Sequence, residues 1–243
     1  MQMTGYKENQ LIHIDPIEAF QDNYIWLIHN DQNSIIVDPG DAKPVVSALE
    51  RKKLNLVAIL ITHHHADHIG GVIGLQEKYP HIKIFAPQKD KYDFVNISLK
   101  NGDEINIPEL QINYKIIEIP GHTQGHIAYY DMKNLFCGDT LFACGCGRIF
   151  DGTHEQMFNS LKKISALPKS TKIYCAHEYT KKNIAFALSL NPNDVNLKSR
   201  EKLLSNVKNT IPSSLEEELK TNPFLKCTSF EAFKKLRDLK DQY

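Results

Sequence analysis

Apolar residues recur along the chain in two rhythms. Short runs of β-branched and apolar residues at 24–28, 34–37, 56–61 and 83–86 read as strands. Between the second and third of these, residues 44–54 carry apolar side chains at roughly helical spacing. Residues 70–79, closed by Pro80, read as a second helix. The strand rhythm returns at 112–119, 127–130, 135–137 and 172–175, with an amphipathic helix expected over 155–167. After His177 the character changes. Residues 181–190, 194–209, 213–219 and 229–240 all read as helical, separated by Asn191-Pro192-Asn193, Ile211-Pro212-Ser213 and Asn222-Pro223. Periodicity establishes only a mixed α+β class. Sheets flanked by helices in this order point further, to a four-layer αββα sandwich with a small helical C-terminal region.

The run at 56–61 ends in the string Thr62-His63-His64-His65-Ala66-Asp67-His68-Ile69-Gly70-Gly71. A buried strand thus delivers imidazoles and a carboxylate to its C-terminal end, where ligands gather in layered α/β proteins. With a period of two, His63 and His65 point the same way and can grip one cation, while His64 points opposite and is not counted as a ligand. Asp67 and His68 lie where the chain turns toward a helix and leave in another direction. One short segment can therefore serve two metal ions. Three more strands end in a ligand-type residue: His122 in Pro120-Gly121-His122-Thr123, Asp139 in Gly138-Asp139-Thr140, and His177 in Cys175-Ala176-His177-Glu178. If those ends lie together, all of them converge on the first cluster. A lone histidine is more often structural, so His13, His29, His81, His126 and His154 stay unassigned.

Bulk properties narrow the setting. The formal net charge is zero, which calls for neither nucleic acid nor an anionic membrane. Through His177 there are 17 Lys+Arg against 20 Asp+Glu, and afterwards 12 against 9, so a mildly basic tail follows a mildly acidic body. That sign favours an anionic substrate near the tail. No apolar run approaches bilayer length. Neither a basic-then-apolar leader nor zinc-knuckle spacing among the five cysteines is visible, so a cytoplasmic protein with reduced thiols is expected.

The set His63, His65, Asp67, His68, His122, Asp139 and His177 resembles the metallo-β-lactamase superfamily. That resemblance implies one metal on His63, His65 and His122, a second on Asp67, His68 and His177, and Asp139 bridging them. Asp38, after Ile35-Ile36-Val37, resembles the aspartate that orients a ligating imidazole from behind. Imidazole and carboxylate donors suit two divalent cations, zinc first, with iron or manganese as alternatives. Two such ions sharing a water lower its pKa from about 15.7 to roughly 7 and make a bridging hydroxide. Hydrolysis is therefore the expected chemistry, with Asp67 and Asp139 also positioning the nucleophile or passing its proton.

Nearly end to end, the chain is more closely similar to the hydroxyacylglutathione hydrolases, or glyoxalase II family. The matching pieces include Asp22-Asn23-Tyr24, Val37-Asp38-Pro39-Gly40, Gly145-Cys146-Gly147-Arg148, Tyr174-Cys175-Ala176-His177-Glu178-Tyr179-Thr180, Asn222-Pro223-Phe224 and Arg237-Asp238-Leu239-Lys240-Asp241. The resemblance implies a catalytic domain over 1–177 and a helical glutathione-binding domain over 178–243. It also implies hydrolysis of S-D-lactoylglutathione to glutathione and D-lactate, in methylglyoxal detoxification, by a monomer. Arg148, Tyr179, Arg237 and Lys240 match the residues that hold glutathione, whose two carboxylates suit charge-assisted hydrogen bonds. Some members carry tyrosine where this chain has Phe150, which offers no phenolic hydrogen bond. The nearest rival is a glutathione persulfide dioxygenase of the same superfamily, using one iron. A β-lactamase reading lacks a leader, a nuclease reading lacks a basic surface, and a non-catalytic metal-binding module would be expected to have lost ligands.

Overall fold

The computed structural model describes residues 11–243, so the expectation about a leader falls partly on residues outside that range. Two six-stranded sheets lie face to face. The first has its strands in sequence order: β1 (His13–Ala19), β2 (Asn23–His29), β3 (Asn33–Val37), β4 (Asn55–Leu60), β5 (Lys83–Pro87) and β6 (Ile97–Leu99). It is antiparallel from β1 to β3 and parallel from β3 to β6.

The second sheet contains β7 (Glu104–Ile107), β8 (Ile112–Glu118), β9 (Ile127–Tyr130), β10 (Asn134–Gly138), β13 (Lys172–Cys175) and β14 (Ser213–Ser214), in the order β14-β13-β10-β9-β8-β7. Only β10 and β13 run parallel. A two-stranded hairpin, β11 (Leu141–Phe142) and β12 (Gly145–Cys146), follows β10.

Why these apolar runs become strands is visible in where alternate side chains go. Trp26, Ile28, Ile35, Val37, Ala58 and Leu60 enter the core between the sheets. Their neighbours Ile25, Leu27, Ile36, Ile59 and Ile61 enter a second core under helices α1 (Ala42–Lys52) and α3 (Val72–Lys78). A strand buried on both faces needs no polar alternation, hence the continuous runs in the sequence. On the far side, α4 (His154–Ser165) adds Met157, Phe158, Leu161 and Ile164 to the core. The result is the expected αββα sandwich.

Several boundaries differ from expectation, each for a local reason. Helix α1 starts two residues early because Asp41 caps it by accepting from Lys43 N–H. It stops at Lys52 because Lys53 turns left-handed and bonds back to Glu50 and Leu49. The helix expected over 70–79 is shorter, α3 alone, and a separate single turn, α2 (Ala66–Ile69), precedes it across Gly70-Gly71. A Cβ at Gly71 would lie 2.5 Å from Ala42 N, so the break brings the two backbones together. Helix α4 starts at a Thr153–Gln156 capping box. Strand β1, with Asp15 and Pro16, reads as polar and was not expected; it is a sheet edge, where proline is tolerated.

The C-terminal helices are α5 (Thr180–Leu190), α6 (Val195–Leu204), α7 (Leu215–Thr221) and α8 (Phe230–Asp241). The helix expected over 194–209 is therefore shorter, with Asp194 as its cap. Together they grip the β11–β12 hairpin through polar side chains. Asn222 Nδ2 donates to the carbonyls of Phe142 and Gly145, and Asn183 Nδ2 donates to that of Ala143. Glu218 Oε2 accepts from Cys144 N–H at 2.7 Å, while its Oε1 takes Arg200 Nη2 at 2.6 Å. Glu218 and Arg200 are both buried, so removing one partner strands the other charge. Glu218→Ala is expected to lower unfolding stability by about 3–5 kcal/mol in denaturant titration. A loss below about 1 kcal/mol would mean that the pair does not hold the hairpin.

Candidate metal centre

The sheets are tied at the end where the ligand-type residues emerge. Ile127 N–H donates to the Thr62 carbonyl and Tyr24 N–H to the Ala176 carbonyl. Trp26 Nε1 donates to the Cys175 carbonyl at 3.0 Å, and Tyr129 Oη to that of Ile61 at 2.9 Å. Loops from both sheets are thereby held against one another.

His63 and His65 lie beyond β4, not on it, yet the backbone stays extended at His65 (φ −64°, ψ 146°) before entering α2. Their rings meet as the alternation implied. His65 Nδ1 stands 3.2 Å from His63 Nε2 and 3.0 Å from His122 Nε2. Asp67 and His68, in the single turn of α2, face His177: Asp67 Oδ2 lies 3.4 Å from His177 Nε2 and 3.6 Å from His68 Nε2. His63, His65 and His122 form one compact donor group, and Asp67, His68 and His177 another. Between them sits Asp139. Its Oδ2 is 3.5 Å from His122 Nε2 and 3.3 Å from His177 Nε2, and its Oδ1 is 3.5 Å from His68 Nε2.

All seven expected ligand residues thus come together. Burial supports a cation there: His68 Nε2 and Asp139 Oδ1 are buried and make no hydrogen bond, facing each other only at 3.5 Å. The donor set fits divalent cations, with the Asp139 carboxylate facing both donor groups. Asp38, His63 and His68 form a third compact group, but the Asp38 carboxylate is engaged elsewhere. It accepts from Thr62 N–H at 2.8 Å and Thr62 Oγ1 at 2.7 Å, and faces His68 Nδ1 at 3.0 Å. It therefore holds the back of His68. Asp22 does the same for His177 Nδ1 at 2.9 Å, and the Arg148 carbonyl accepts from His122 Nδ1 at 2.7 Å. Asn23 Nδ2 donates to Asp67 Oδ2 at 2.8 Å. Such outer contacts fix ring orientation and raise ligand basicity. Asp22 and Asn23 carry no signal beyond their place in Asp22-Asn23-Tyr24.

His64 faces Asp90 at 3.5 Å and Asp151 at 3.9 Å, outside the cluster as expected. Exposed Phe150 stands edge-on to His65 and His122, with ring centroids 5.0 and 5.1 Å away. Tyr179 stacks on His177 at 4.8 Å with only 9° between planes. Arg148 is exposed, its Nε 3.4 Å from Asp241 Oδ1, the same oxygen that accepts from Arg237 Nη2 at 3.0 Å. Arg237 itself is buried, and its Nη1 donates to the Cys146 carbonyl at 2.8 Å. Lys240 lies over the rings of Phe186 and Tyr243. Burial, then the charges of Arg237 and Lys182, lower its pKa. Lys182, whose Nζ is 5.9 Å from the Tyr179 ring centroid, joins this cationic group; in the sequence it was one lysine among many.

A stacked sandwich with a His–Asp cluster at one edge defines the metallo-β-lactamase class, and that superfamily's model matches residues 20–177. A model described as the hydroxyacylglutathione hydrolase C-terminus matches residues 178–243. The hydroxyacylglutathione hydrolase of Nitrosomonas eutropha is 49% identical over 222 residues, covering 89% of this chain and 86% of that protein. That of Aliivibrio fischeri strain ES114 is 45% identical over 254 residues, covering 96% of this chain and 100% of its own. The chain belongs to the hydroxyacylglutathione hydrolase family. Among solved structures, ETHE1 from Myxococcus xanthus aligns with a TM-score of 0.73 at 23% identity over 94% of this chain and 90% of its own, a likeness of fold.

On their own, the imidazoles divide into two kinds. Burial pushes His63 well below the usual range and lowers His122. It also takes His65, with neighbouring His122 and His64, down to about 4. Burial would lower His68 too, but Asp139 and Asp38 outweigh it and raise His68 to about 10. Asp139, Asp67 and Asp22 likewise raise His177 to about 11. At neutral pH the first group is ready to bind a cation, whereas the second must release the protons of His68 and His177. Affinity for the second equivalent should therefore rise with pH near neutrality more steeply than affinity for the first. Chelator competition at several pH values measures both; equal, shallow dependences would contradict this division.

Proposed function

We propose that this protein hydrolyses 2-hydroxyacyl thioesters of glutathione, S-D-lactoylglutathione foremost, to glutathione and the hydroxy acid. In the cell this would be the second step of methylglyoxal detoxification. The observation that carries the reading is the Asp139 carboxylate facing both donor groups, beside a cationic wall made by the C-terminal helices. Divalent ions bound there supply an activated water and polarise the thioester carbonyl; zinc is the metal proposed, with iron or manganese as alternatives.

The chain's own residues do the rest. His63, His65 and His122 would hold one ion and Asp67, His68 and His177 the other, with Asp139 facing both groups. Water adds to the carbonyl carbon, the carbon–sulfur bond breaks, and glutathione leaves as its thiolate, stable enough at a pKa near 8.5 to depart readily. Asp67 is the more exposed of the two site carboxylates and passes the proton of the attacking water outward. Exposed Arg148 and half-buried Lys240 take the glutathione carboxylates. Tyr179 offers its hydroxyl beside His177, and Arg237 adds fixed positive charge behind the Cys146 carbonyl. Phe150 presents an apolar edge at the mouth instead of a phenol.

The complete second donor group favours hydrolysis over the persulfide dioxygenase reading, in which a single iron suffices. We further propose a monomeric, cytoplasmic enzyme, in keeping with five cysteines that are all free. Among the described residues, no helix is long and apolar enough to cross a membrane.

Metal-reconstituted protein should remove the thioester absorbance of S-D-lactoylglutathione. With Arg148→Ala, KM is expected to rise by about 10- to 100-fold, the ~1.5–3 kcal/mol of a charge-assisted hydrogen bond, with kcat little changed. Failure of the wild type to cleave the thioester, with oxygen consumed on glutathione persulfide instead, would overturn the assignment.

A further inference from the structure

His126 lies beneath the metal centre and belongs to neither donor group. It is fully buried, and its ring stacks on that of His63 with centroids 4.5 Å apart and 16° between planes. Both of its nitrogens are committed. The backbone N–H of Asp139 points at Nε2 across 3.2 Å. A backbone N–H can only donate, so Nε2 is the unprotonated nitrogen. Nδ1 then carries the proton and donates to the Ile127 carbonyl at 3.2 Å.

The turn that presents Asp139 is built around this ring. Gly138 adopts φ +47°, where side chains are rarely accommodated. A Cβ there would fall 2.3 Å from Thr62 Oγ1 and 2.9 Å from both Cε1 and Nε2 of His126. The chain therefore crosses the imidazole edge in bare backbone contact and leaves the next amide aimed at Nε2. Beyond that amide, the Asp139 carboxylate lies within 3.5 Å of His68, His122 and His177 at once. A small rotation of the peptide would draw it toward one donor group and away from the other.

We propose that His126 is a positioning residue for Asp139: its Nε2 anchors the Asp139 amide and so keeps the carboxylate shared between the two metal positions. This rests on the reading of the site as a pair of metal positions, but not on the identity of the substrate. A histidine that merely filled space would be replaceable by any ring of similar size; an anchoring acceptor would not.

Two substitutions separate these roles. His126→Phe keeps an aromatic ring against His63 but removes the Nε2 acceptor, together with the Nδ1 donor to the Ile127 carbonyl. His126→Gln gives up the ring and offers an amide oxygen near the place of Nε2. Metal equivalents per chain, the affinity of each by chelator competition, the melting temperature without metal, and hydrolysis are measured for both. In His126→Phe the first equivalent is expected to bind as in the wild type. The second should weaken by about 10- to 100-fold, with kcat falling by a similar factor and KM unchanged. His126→Gln should hold the second equivalent within about threefold of wild type, even where its metal-free melting temperature is the lower of the two. The proposal is overturned if His126→Phe binds both equivalents as tightly as wild type, or if both variants lose the second alike. Metal is counted without substrate, so a wild type that failed to cleave the thioester would sink the proposed function and leave this result readable.

Discussion

A carboxylate buried among histidines is the constraint on which the rest depends. Asp139 is 6% exposed and has Nε2 atoms of three different imidazoles within 3.5 Å. An ionised carboxylate so placed is expensive unless positive charge surrounds it. Raised pKa values at His68 and His177 show one way the chain meets that demand, by keeping protons on the rings. Divalent cations would meet it more fully, and in doing so would displace those protons. The negative charge that makes the site costly to bury is thus the same charge that makes it bind metal.

Everything near Asp139 serves to keep it there. Inter-sheet hydrogen bonds close the sandwich at this end, and the hairpin after Asp139 is held by Asn183, Asn222, Glu218 and Arg237 from the C-terminal helices. Those helices also gather Lys240 with Arg237 and Lys182, the last beside the Tyr179 ring. The region proposed to hold glutathione also braces the strand end that presents the shared carboxylate, so damage on one side should be felt on the other.

Much of this was legible in the sequence, because the site obeys a simple rule: an apolar run ends and a ligand follows. His63, His65, His122, Asp139 and His177 each follow that rule, and the extended backbone at His65 keeps the alternation past the end of β4. Other residues at the site lack such a frame. Asp22 meets His177, distant in sequence, and His126 meets the backbone amide of Asp139; residue type alone reveals neither contact. Strand β1 carries Asp15 and Pro16, acceptable only because it is an edge. The two-residue strands of the hairpin sit in a Gly- and Cys-rich stretch that reads as a loop, and tertiary contacts with α5, α7 and α8 shape them. Helix ends shifted where a cap or a left-handed residue decided the matter.

The central claim is that Asp139 is shared between two metal positions. Anomalous diffraction from crystals of the metal-loaded protein, collected on either side of the metal's absorption edge, tests it most directly. Two peaks roughly 3.5–4 Å apart should flank the Asp139 carboxylate, one beside His63, His65 and His122 and one beside Asp67, His68 and His177. A single peak at full loading, or two peaks with Asp139 turned away from either, would contradict it.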